Sequence, residues 1–272
     1  MSKFSTHEIA SELTRIENRD PKALANLKKI FSVQSLRRTI CFTGPAGVGK
    51  STLISKLAPL AARKKTLAWL ACDPSSPKSG GSLLGDRIRL SGQEISENIF
   101  IRSLSTRGAQ AFSKSIRDME VYLESIFDEI WVETAGSGQT QSEVARLSAI
   151  TVLILQPETG DEIQWMKSGV REWADLFIVH KADLKGADLM AQTLVEQGAK
   201  PSEVIQVSSK NNKGFENVLS ALQNFQKKMN WNERQKILHL EHARALFFEK
   251  AQKKLETEFE KSKAKKVKNP YV

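Results

Sequence analysis

The 272-residue sequence predicts an α/β fold, a doubly wound, mainly parallel sheet with helical arms at its N- and C-terminal ends. Short apolar segments alternate with amphipathic helical patterns from residue 38 onward. The segment 150–155 is apolar without alternation, as expected for a strand that is covered on both faces. Polar motifs follow several of these segments, at the sheet edge where open parallel sheets bind ligands.

The N-terminal arm, residues 1–36, is expected to be helical. Ile9, Leu13 and Ile16 recur at helical spacing before 18–21 interrupts the pattern. Asp20 before Pro21 is typical of a new helix start, with the Asp as N-cap and the proline at the first helical position. We therefore expect two helices before the first strand.

The first predicted strand, 38–42, leads into a loop with the spacing G-x-x-x-x-G-K-[ST], and a helical pattern follows over 52–62. The glycines let the backbone direct several N–H groups at one anion, and the helix N-terminus adds partial positive charge. The loop therefore predicts a site for nucleotide phosphates, whereas the alternative is a glycine-rich turn that binds nothing. The candidate nucleotide-binding residues here are Gly44, Pro45, Ala46, Gly47, Val48, Gly49, Lys50, Ser51 and Thr52.

Two side chains of this loop have expected roles of their own. Lys50 would supply charge to the β- and γ-phosphates, and the Ser51 hydroxyl would be a ligand for Mg²⁺. The next strand, 66–72, is followed by Asp73, whose position at a strand end makes it a candidate for the Mg²⁺ shell. A turn-forming Asp before proline is the alternative for Asp73.

A further acid ends a later strand. A strand at 99–102 and an amphipathic helix over 110–127 come before the strand 128–133, which ends in Glu133. Gly136 follows three residues later, which is the layout of a Walker B acid and a γ-phosphate sensor. No glutamine follows Gly136 directly, so Gln139 is the candidate for orienting the attacking water. The candidate catalytic residues are Lys50, Glu133, Gly136 and Gln139.

The last two strands, 173–179 and 203–207, are each followed by a candidate base-binding loop. The motif His180-Lys-Ala-Asp183 stands where a GTPase has N-K-x-D. Asp183 would accept hydrogen bonds from the ring N–H and the amine of guanine, and the stem of Lys181 would cover the base. His180 replaces Asn, and its ring could donate to the base or to the phosphate loop. An ordinary turn is the alternative, and the second base loop is Ser208-Ser-Lys210, comprising Ser208, Ser209 and Lys210.

Together these motifs resemble the MeaB/ArgK-type GTPases, the bacterial counterparts of the human MMAA protein. The resemblance covers about residues 38–185 and includes two segments that general GTPases lack, Gly80-Gly-Ser-Leu-Leu-Gly-Asp86 and Gly160-Asp-Glu-Ile-Gln164. The sequence departs from the family at His180, at Ala135 and Ser137, and in a C-terminal arm that is short.

The resemblance implies a homodimeric GTPase that binds GTP and GDP and acts as a chaperone of an adenosylcobalamin-dependent acyl-CoA mutase, typically methylmalonyl-CoA mutase. It implies that the protein gates cofactor loading and protects the mutase. It further implies a switch loop that couples nucleotide state to the mutase. The implied Mg²⁺ site comprises Ser51, Asp73, Asp86 and Glu133, and the implied switch residues are Gly160, Asp161, Gln164 and Lys167.

The C-terminal arm, residues 230–272, follows a central domain expected over 37–229. A polar helix over 231–263 is predicted, and thirteen Lys/Arg against six Asp/Glu from residue 227 onward account for most of the net charge of +10. A solvated helix face with a lysine tail explains this charge better than a nucleic-acid groove. His239 and His242 lie one turn apart, but no third metal ligand is evident.

Composition excludes several classes of function. No run of about 18 apolar residues occurs, so we expect no membrane span and a cytoplasmic location. Two cysteines and four histidines argue against a protein that hands over nickel or zinc, which is the metal-insertion alternative. An ATP-dependent kinase and a nucleotide-binding module without turnover stay open, although no phosphoacceptor site is visible.

Overall fold

A computed structural model describes residues 5–31, 38–73, 97–105, 109–135, 144–145, 148–157 and 171–261, without the side chains of 73, 105, 109–114, 171 and 249. Within these ranges the strands are β1 Thr39–Thr43, β2 Leu67–Asp73, β3 Ile99–Ser105, β4 Glu129–Glu133, β5 Ile150–Leu155, β6 Leu176–His180 and β7 Val204–Val207. They form one parallel sheet with the order β3-β2-β4-β1-β5-β6-β7.

Helices cover both faces of this sheet, so the predicted doubly wound parallel architecture is confirmed. Successive residues of β1 point to opposite faces, as the pleat of a strand requires. The helices are α1 Thr6–Glu17, α2 Pro21–Ile30, α3 Lys50–Ala61, α4 Ala109–Glu124, α5 Ala187–Glu196, α6 Phe215–Lys228 and α7 Trp231–Lys261. Ile40 and Phe42 pack with α3 and α6, whereas Cys41 packs with α1, α2, α4 and α7.

The sequence signals of the N-terminal arm are confirmed. The Asp20 carboxylate accepts hydrogen bonds from the backbone N–H groups of Lys22 and Ala23 at 2.8 and 3.0 Å, and Pro21 is the first residue of α2. These bonds satisfy donors that would otherwise lack partners at a helix start. Leu13 and Ile16 of α1 are fully buried, which fixes the arm against the sheet domain.

The predicted start of the sixth strand is wrong by three residues. Arg171–Trp173 forms a 3₁₀ turn, and β6 begins only at Leu176. Asp175 sets this boundary because its N–H donates to the Thr151 carbonyl and its carboxylate accepts the Thr151 N–H, both at 2.8 Å. The strand includes His180 as its last residue, whereas the sequence pattern predicts that the strand ends at residue 179.

The C-terminal helix α7 packs on the domain through its first half. Arg234 donates to the Ala149 carbonyl and to the Asp175 carboxylate, each at 3.0 Å, and Leu238 and His242 are buried. The second half carries large apolar side chains that are more than half exposed. These are Phe247, Phe248, Leu255 and Phe259. No helix among the described residues is both long enough and apolar enough to cross a bilayer.

Candidate active site

The glycine-rich loop lies between the carboxyl end of β1 and the start of α3, at the centre of the sheet. Gly44 has no room for a side chain, because a Cβ there would lie 2.1 Å from the Ile154 carbonyl oxygen of neighbouring β5. Gly47 and Gly49 have φ values of 76° and 91°, which glycine adopts without strain. The predicted strand, loop and helix therefore occur in the order that a phosphate loop requires.

Lys50 reaches back across this loop. Its Nζ donates to the carbonyl oxygens of Gly44 and Pro45 at 3.0 and 2.8 Å, and its side chain is buried. Burial lowers the pKa of Lys50 to about 8, although the nearby Glu133 carboxylate opposes this shift. An anionic phosphate at the loop would stabilise the charged amine, so the residue suits the role that its position predicts.

The candidate metal ligands Ser51 and Glu133 are in direct contact. The Ser51 hydroxyl donates to the Glu133 carboxylate, which is buried at the end of β4. Asp73 ends the adjacent strand, where Ala71 pairs with Glu133, so its backbone lies two residues beyond Glu133 at the same sheet edge. A hydroxyl and carboxylates are the oxygen ligands that Mg²⁺ prefers, and this donor set therefore fits the metal.

The two candidate base loops meet beside the phosphate loop. The Ser208 hydroxyl donates to the Asp183 carboxylate at 2.5 Å, and this bond is the main reason why the pKa of Asp183 lies below its ordinary value. Lys181 donates to the Gly47 carbonyl at 3.3 Å. A cleft of about 270 Å³ opens here, lined by Gly49, Thr52, His180, Lys181, Asp183, Leu184, Ser209 and Lys210.

The sequence left two partners open for His180, the base or the phosphate loop, and the structure has the second. Nδ1 of its ring lies 2.7 Å from the Val48 carbonyl oxygen, and Nε2 lies 2.8 Å from the Ser209 hydroxyl. The side chain is almost fully buried, and burial lowers its pKa. The ring therefore connects the phosphate loop with the second base loop.

Lys56 also belongs to this site, although the sequence motifs did not indicate it. Its Nζ donates to the Ser209 carbonyl and, at 2.7 Å, to the Asn212 side chain, which holds the second base loop against α3. Thr52 lines the cleft, and Lys56 is four residues further along the same helix face. That spacing was the signal available in the sequence.

Several predicted residues lie outside the described part of the chain. The side chain of Asp73 belongs with them, and so do Gly136, Gln139, Asp86, Gly160, Asp161, Gln164 and Lys167.

The two histidines of α7 that lie one turn apart pack against an aromatic ring. Phe31 contacts both His239 and His242, with ring centroids 5.6 and 5.7 Å apart. Among the described residues, no group of three or more His, Cys, Asp and Glu side chains is placed to hold a metal.

Comparison with known proteins gives a family and several relatives. The model of the family described as methylmalonyl-CoA mutase-associated GTPase MeaB matches residues 9–264. A protein of Pyrococcus horikoshii named as a GTPase is 39% identical over 192 residues, 70% of this chain and 61% of its own. The mitochondrial methylmalonic aciduria type A homolog of Mus musculus is 30% identical over 240 residues, 83% of this chain and 58% of its own.

Two further matches are a curated relative and a solved structure. The GTPase ArgK of Escherichia coli is 33% identical over 184 residues, 64% of this chain and 55% of its own. A crystal structure of a LAO/AO transport system kinase superposes with a TM-score of 0.62 at 21% identity, covering 93% of this chain and 87% of that one. This likeness shows the fold. The chain spans about three-fifths of the length of the curated relatives named here.

Proposed function

The chain belongs to the family of methylmalonyl-CoA mutase-associated GTPases, MeaB, and from that premise we propose that it binds and hydrolyses GTP with Mg²⁺ at the sheet edge described above. One observation carries the proposal: a phosphate loop with a buried Lys50 and a base loop with an anionic Asp183 open onto the same edge of one sheet. Each motif alone could be an ordinary turn. Two unrelated turns would not be expected to lie together at the ligand-binding edge of one sheet.

The phosphate loop would stabilise the charge that develops during hydrolysis. Lys50 donates to two loop carbonyls in this structure, and phosphate oxygens are stronger acceptors for the same amine. Water would attack the γ-phosphate in line with the departing diphosphate, and the loop N–H groups with Lys50 would offset the negative charge. We assign the orientation of that water to Gln139 and the contact to the γ-phosphate to Gly136.

A magnesium ion would be held by Ser51 and Glu133 together with Asp73 and Asp86. When bound, it would neutralise charge on the β- and γ-phosphates and so lower the barrier to transfer. The Ser51–Glu133 hydrogen bond supports this assignment, because it brings two hard oxygen ligands to one point beside the phosphate loop.

Guanine selectivity would come from Asp183. Its carboxylate accepts from Ser208 through one oxygen, and guanine can offer its ring N–H and its amine to the carboxylate. Adenine offers no such pair of donors, so the acid would lose hydrogen bonds to water without replacing them. The second loop, through Ser208, Ser209 and Lys210, would line the other side of the base.

The partner of this GTPase would be an adenosylcobalamin-dependent acyl-CoA mutase, with methylmalonyl-CoA mutase the first to test. The family description and the name of the mouse relative support this choice. The protein would gate cofactor loading and protect the loaded mutase. The segment with Gly160, Asp161, Gln164 and Lys167 would be the switch that reads the nucleotide state.

The protein would act as a homodimer through the second half of α7. Four large apolar side chains there are more than half exposed, and burying each would stabilise an interface by about 1.5–3 kcal/mol. Light scattering should then report twice the chain mass, and the double variant F247E/F248E should reduce it to one. A wild-type monomer at micromolar concentration would contradict this part of the proposal.

The central test measures nucleotide choice and turnover together. Calorimetry should show GDP binding that ATP and ADP do not displace, and phosphate release from GTP should require Mg²⁺. Adding methylmalonyl-CoA mutase should raise the hydrolysis rate, whereas an unrelated acyl-CoA enzyme of similar size should not. ADP that competes as well as GDP would favour a kinase. Hydrolysis that is equally fast with and without the mutase would contradict the chaperone role.

A further inference from the structure

The ring of His180 touches both the phosphate loop and the second base loop. Its two nitrogens lie 2.7 Å from the Val48 carbonyl oxygen and 2.8 Å from the Ser209 hydroxyl. Both are within hydrogen-bonding distance, and the side chain is 2% exposed. A buried imidazole therefore joins the two loops.

The partners of this ring fix its tautomer. A carbonyl oxygen can only accept, so Nδ1 carries the hydrogen and donates to Val48. Burial lowers the pKa of His180 below its ordinary value, with smaller contributions from Lys181 and Lys56, although the hydrogen bond to the Val48 carbonyl and the charge of Asp183 oppose this shift. The ring is thus neutral at neutral pH, and Nε2 accepts the hydrogen bond that the Ser209 hydroxyl donates.

The bond to Val48 also orients the next peptide. In a trans peptide the carbonyl oxygen and the following N–H point in opposite directions. Because the Val48 carbonyl points to His180, the N–H of Gly49 points away from the ring. A Cβ on Gly49 would lie 2.7 Å from Cε1 and 2.8 Å from Nδ1 of His180, so the ring and this peptide are in close contact.

We propose that His180 is a positioning residue that couples base recognition to phosphate binding, by holding the Ser209 loop and the Val48–Gly49 peptide in one arrangement. A nucleotide base that orders the Ser209 loop then also fixes the direction of the Gly49 N–H toward the phosphates. This inference rests on the nucleotide site proposed above. It adds to that site a thermodynamic link between its two halves.

Replacing His180 with Asn or with Gln can remove one of its two hydrogen bonds and keep the other. The Nδ2 of Asn is the same number of bonds from the backbone as Nδ1 of His, so H180N can keep the donor to Val48 and loses the reach to Ser209. The amide of Gln extends to the position of Nε2, so H180Q can keep Ser209 and loses Val48. The variant S209A removes the base-loop bond from the other side.

The experiment measures the affinities of GDP and GMP by competition with a fluorescent GDP analogue, for wild type, H180N, H180Q, S209A and H180N/S209A. Loss of one neutral hydrogen bond corresponds to about a five-fold change. H180N and S209A should each weaken GDP and GMP by that factor, and the double variant by no more than either alone. H180Q should lower the affinity for GDP about five-fold and change the affinity for GMP by less than about two-fold, because only the contact of the Gly49 N–H with the β-phosphate is weakened.

The outcomes separate this inference from the site itself. Additive losses in H180N/S209A, or equal losses of GDP and GMP in H180Q, would overturn the coupling while the nucleotide site stands. Wild-type protein that binds neither nucleotide would overturn both. Thermal unfolding of each variant reports whether it folds. If the His180 variants do not fold, S209A decides alone, since its loop is partly exposed and unchanged affinities there would refute the role of the ring.

Discussion

The stability of the C-terminal helix should depend on pH through one buried histidine. His242 of α7 is buried against Phe31, and burial, with smaller effects of the Arg117 charge and of His239, lowers its pKa from 6.5 to about 3. As pH falls below 6.5, the unfolded chain takes up a proton at this ring and the folded chain does not. The free energy of unfolding therefore falls in this range, from pH 6.5 down to about 3.

The magnitude follows from the two pKa values. At pH 7.5 almost all of the unfolded chains carry a neutral ring, and the cost is about 0.1 kcal/mol. At pH 5.0 the protonated ring exceeds the neutral one about thirty-fold in the unfolded chain, so the native state loses about 2 kcal/mol. This is a large part of the 5–15 kcal/mol that is typical of a folded domain.

The assay is urea unfolding at pH 7.5 and 5.0 for wild type, H242L and H7Q. Leucine fills the buried position without titrating, so H242L should lose about 2 kcal/mol less than wild type between the two pH values. Other buried acids, such as Glu120 and Asp175, titrate in both proteins and cancel in this difference. The control H7Q removes an exposed histidine of α1 and should behave as wild type does. Equal losses in wild type and H242L would refute the reasoning.

Three further substitutions probe the nucleotide site directly. K50A removes the charge that the phosphate loop holds, and GTP hydrolysis should fall at least about 100-fold in a phosphate-release assay. D183N replaces an acceptor with an amide, and calorimetry should show at least about ten-fold weaker GDP binding. G49A forces a Cβ to within 2.7 Å of His180 at a φ of 91°, and thermal unfolding should show a loss of about 1–3 kcal/mol.

For each of these substitutions, one result would contradict the role assigned to the residue. Full turnover in K50A would remove the amine from the reaction. In D183N, xanthosine diphosphate should now bind better than GDP, because its extra carbonyl can accept from the new amide, and retained preference for GDP would contradict base reading by Asp183. Substitution of Gly47 by Ala is the matched control for G49A, because a Cβ there contacts nothing within 4 Å although its φ is also positive.

Local patterns in the sequence were enough to predict the strands and the glycine-rich loop between β1 and α3. The apolar run of 150–155 and the Asp20–Pro21 pair each determine their own structure, because burial and capping act within a few residues. The start of β6 could not be read in this way. Trp173 and Ala174 are apolar and extend the strand pattern, but the bonds of Asp175 to Thr151 in another strand decide where β6 begins.

In the candidate site, too, some features follow from neighbouring residues and others depend on contacts between distant parts of the chain. Spacing alone predicts Lys50 and Ser51 as candidate residues of the site, since the loop chemistry depends on neighbouring residues. The sequence left the base and the phosphate loop open as partners of His180 and did not indicate Ser209, because Val48 and Ser209 are far apart in the chain and meet only when the sheet has formed. The resemblance to a family, and not local spacing, placed Ser51 and Glu133 at one site, and the pairing of β1 with β4 brings the two side chains together.

The central place of β1 in the sheet has a consequence for synthesis of the protein. Its two neighbours are β4 and β5, which begin at Glu129 and Ile150, so a nascent chain leaving the ribosome carries its glycine-rich turn for a long time without either flank. Such non-local pairing is slow and leaves apolar edges open to association meanwhile. A nucleotide that binds at the proposed site therefore cannot stabilise the earliest folding intermediates, because the site forms only after β1 has paired with β4 and β5.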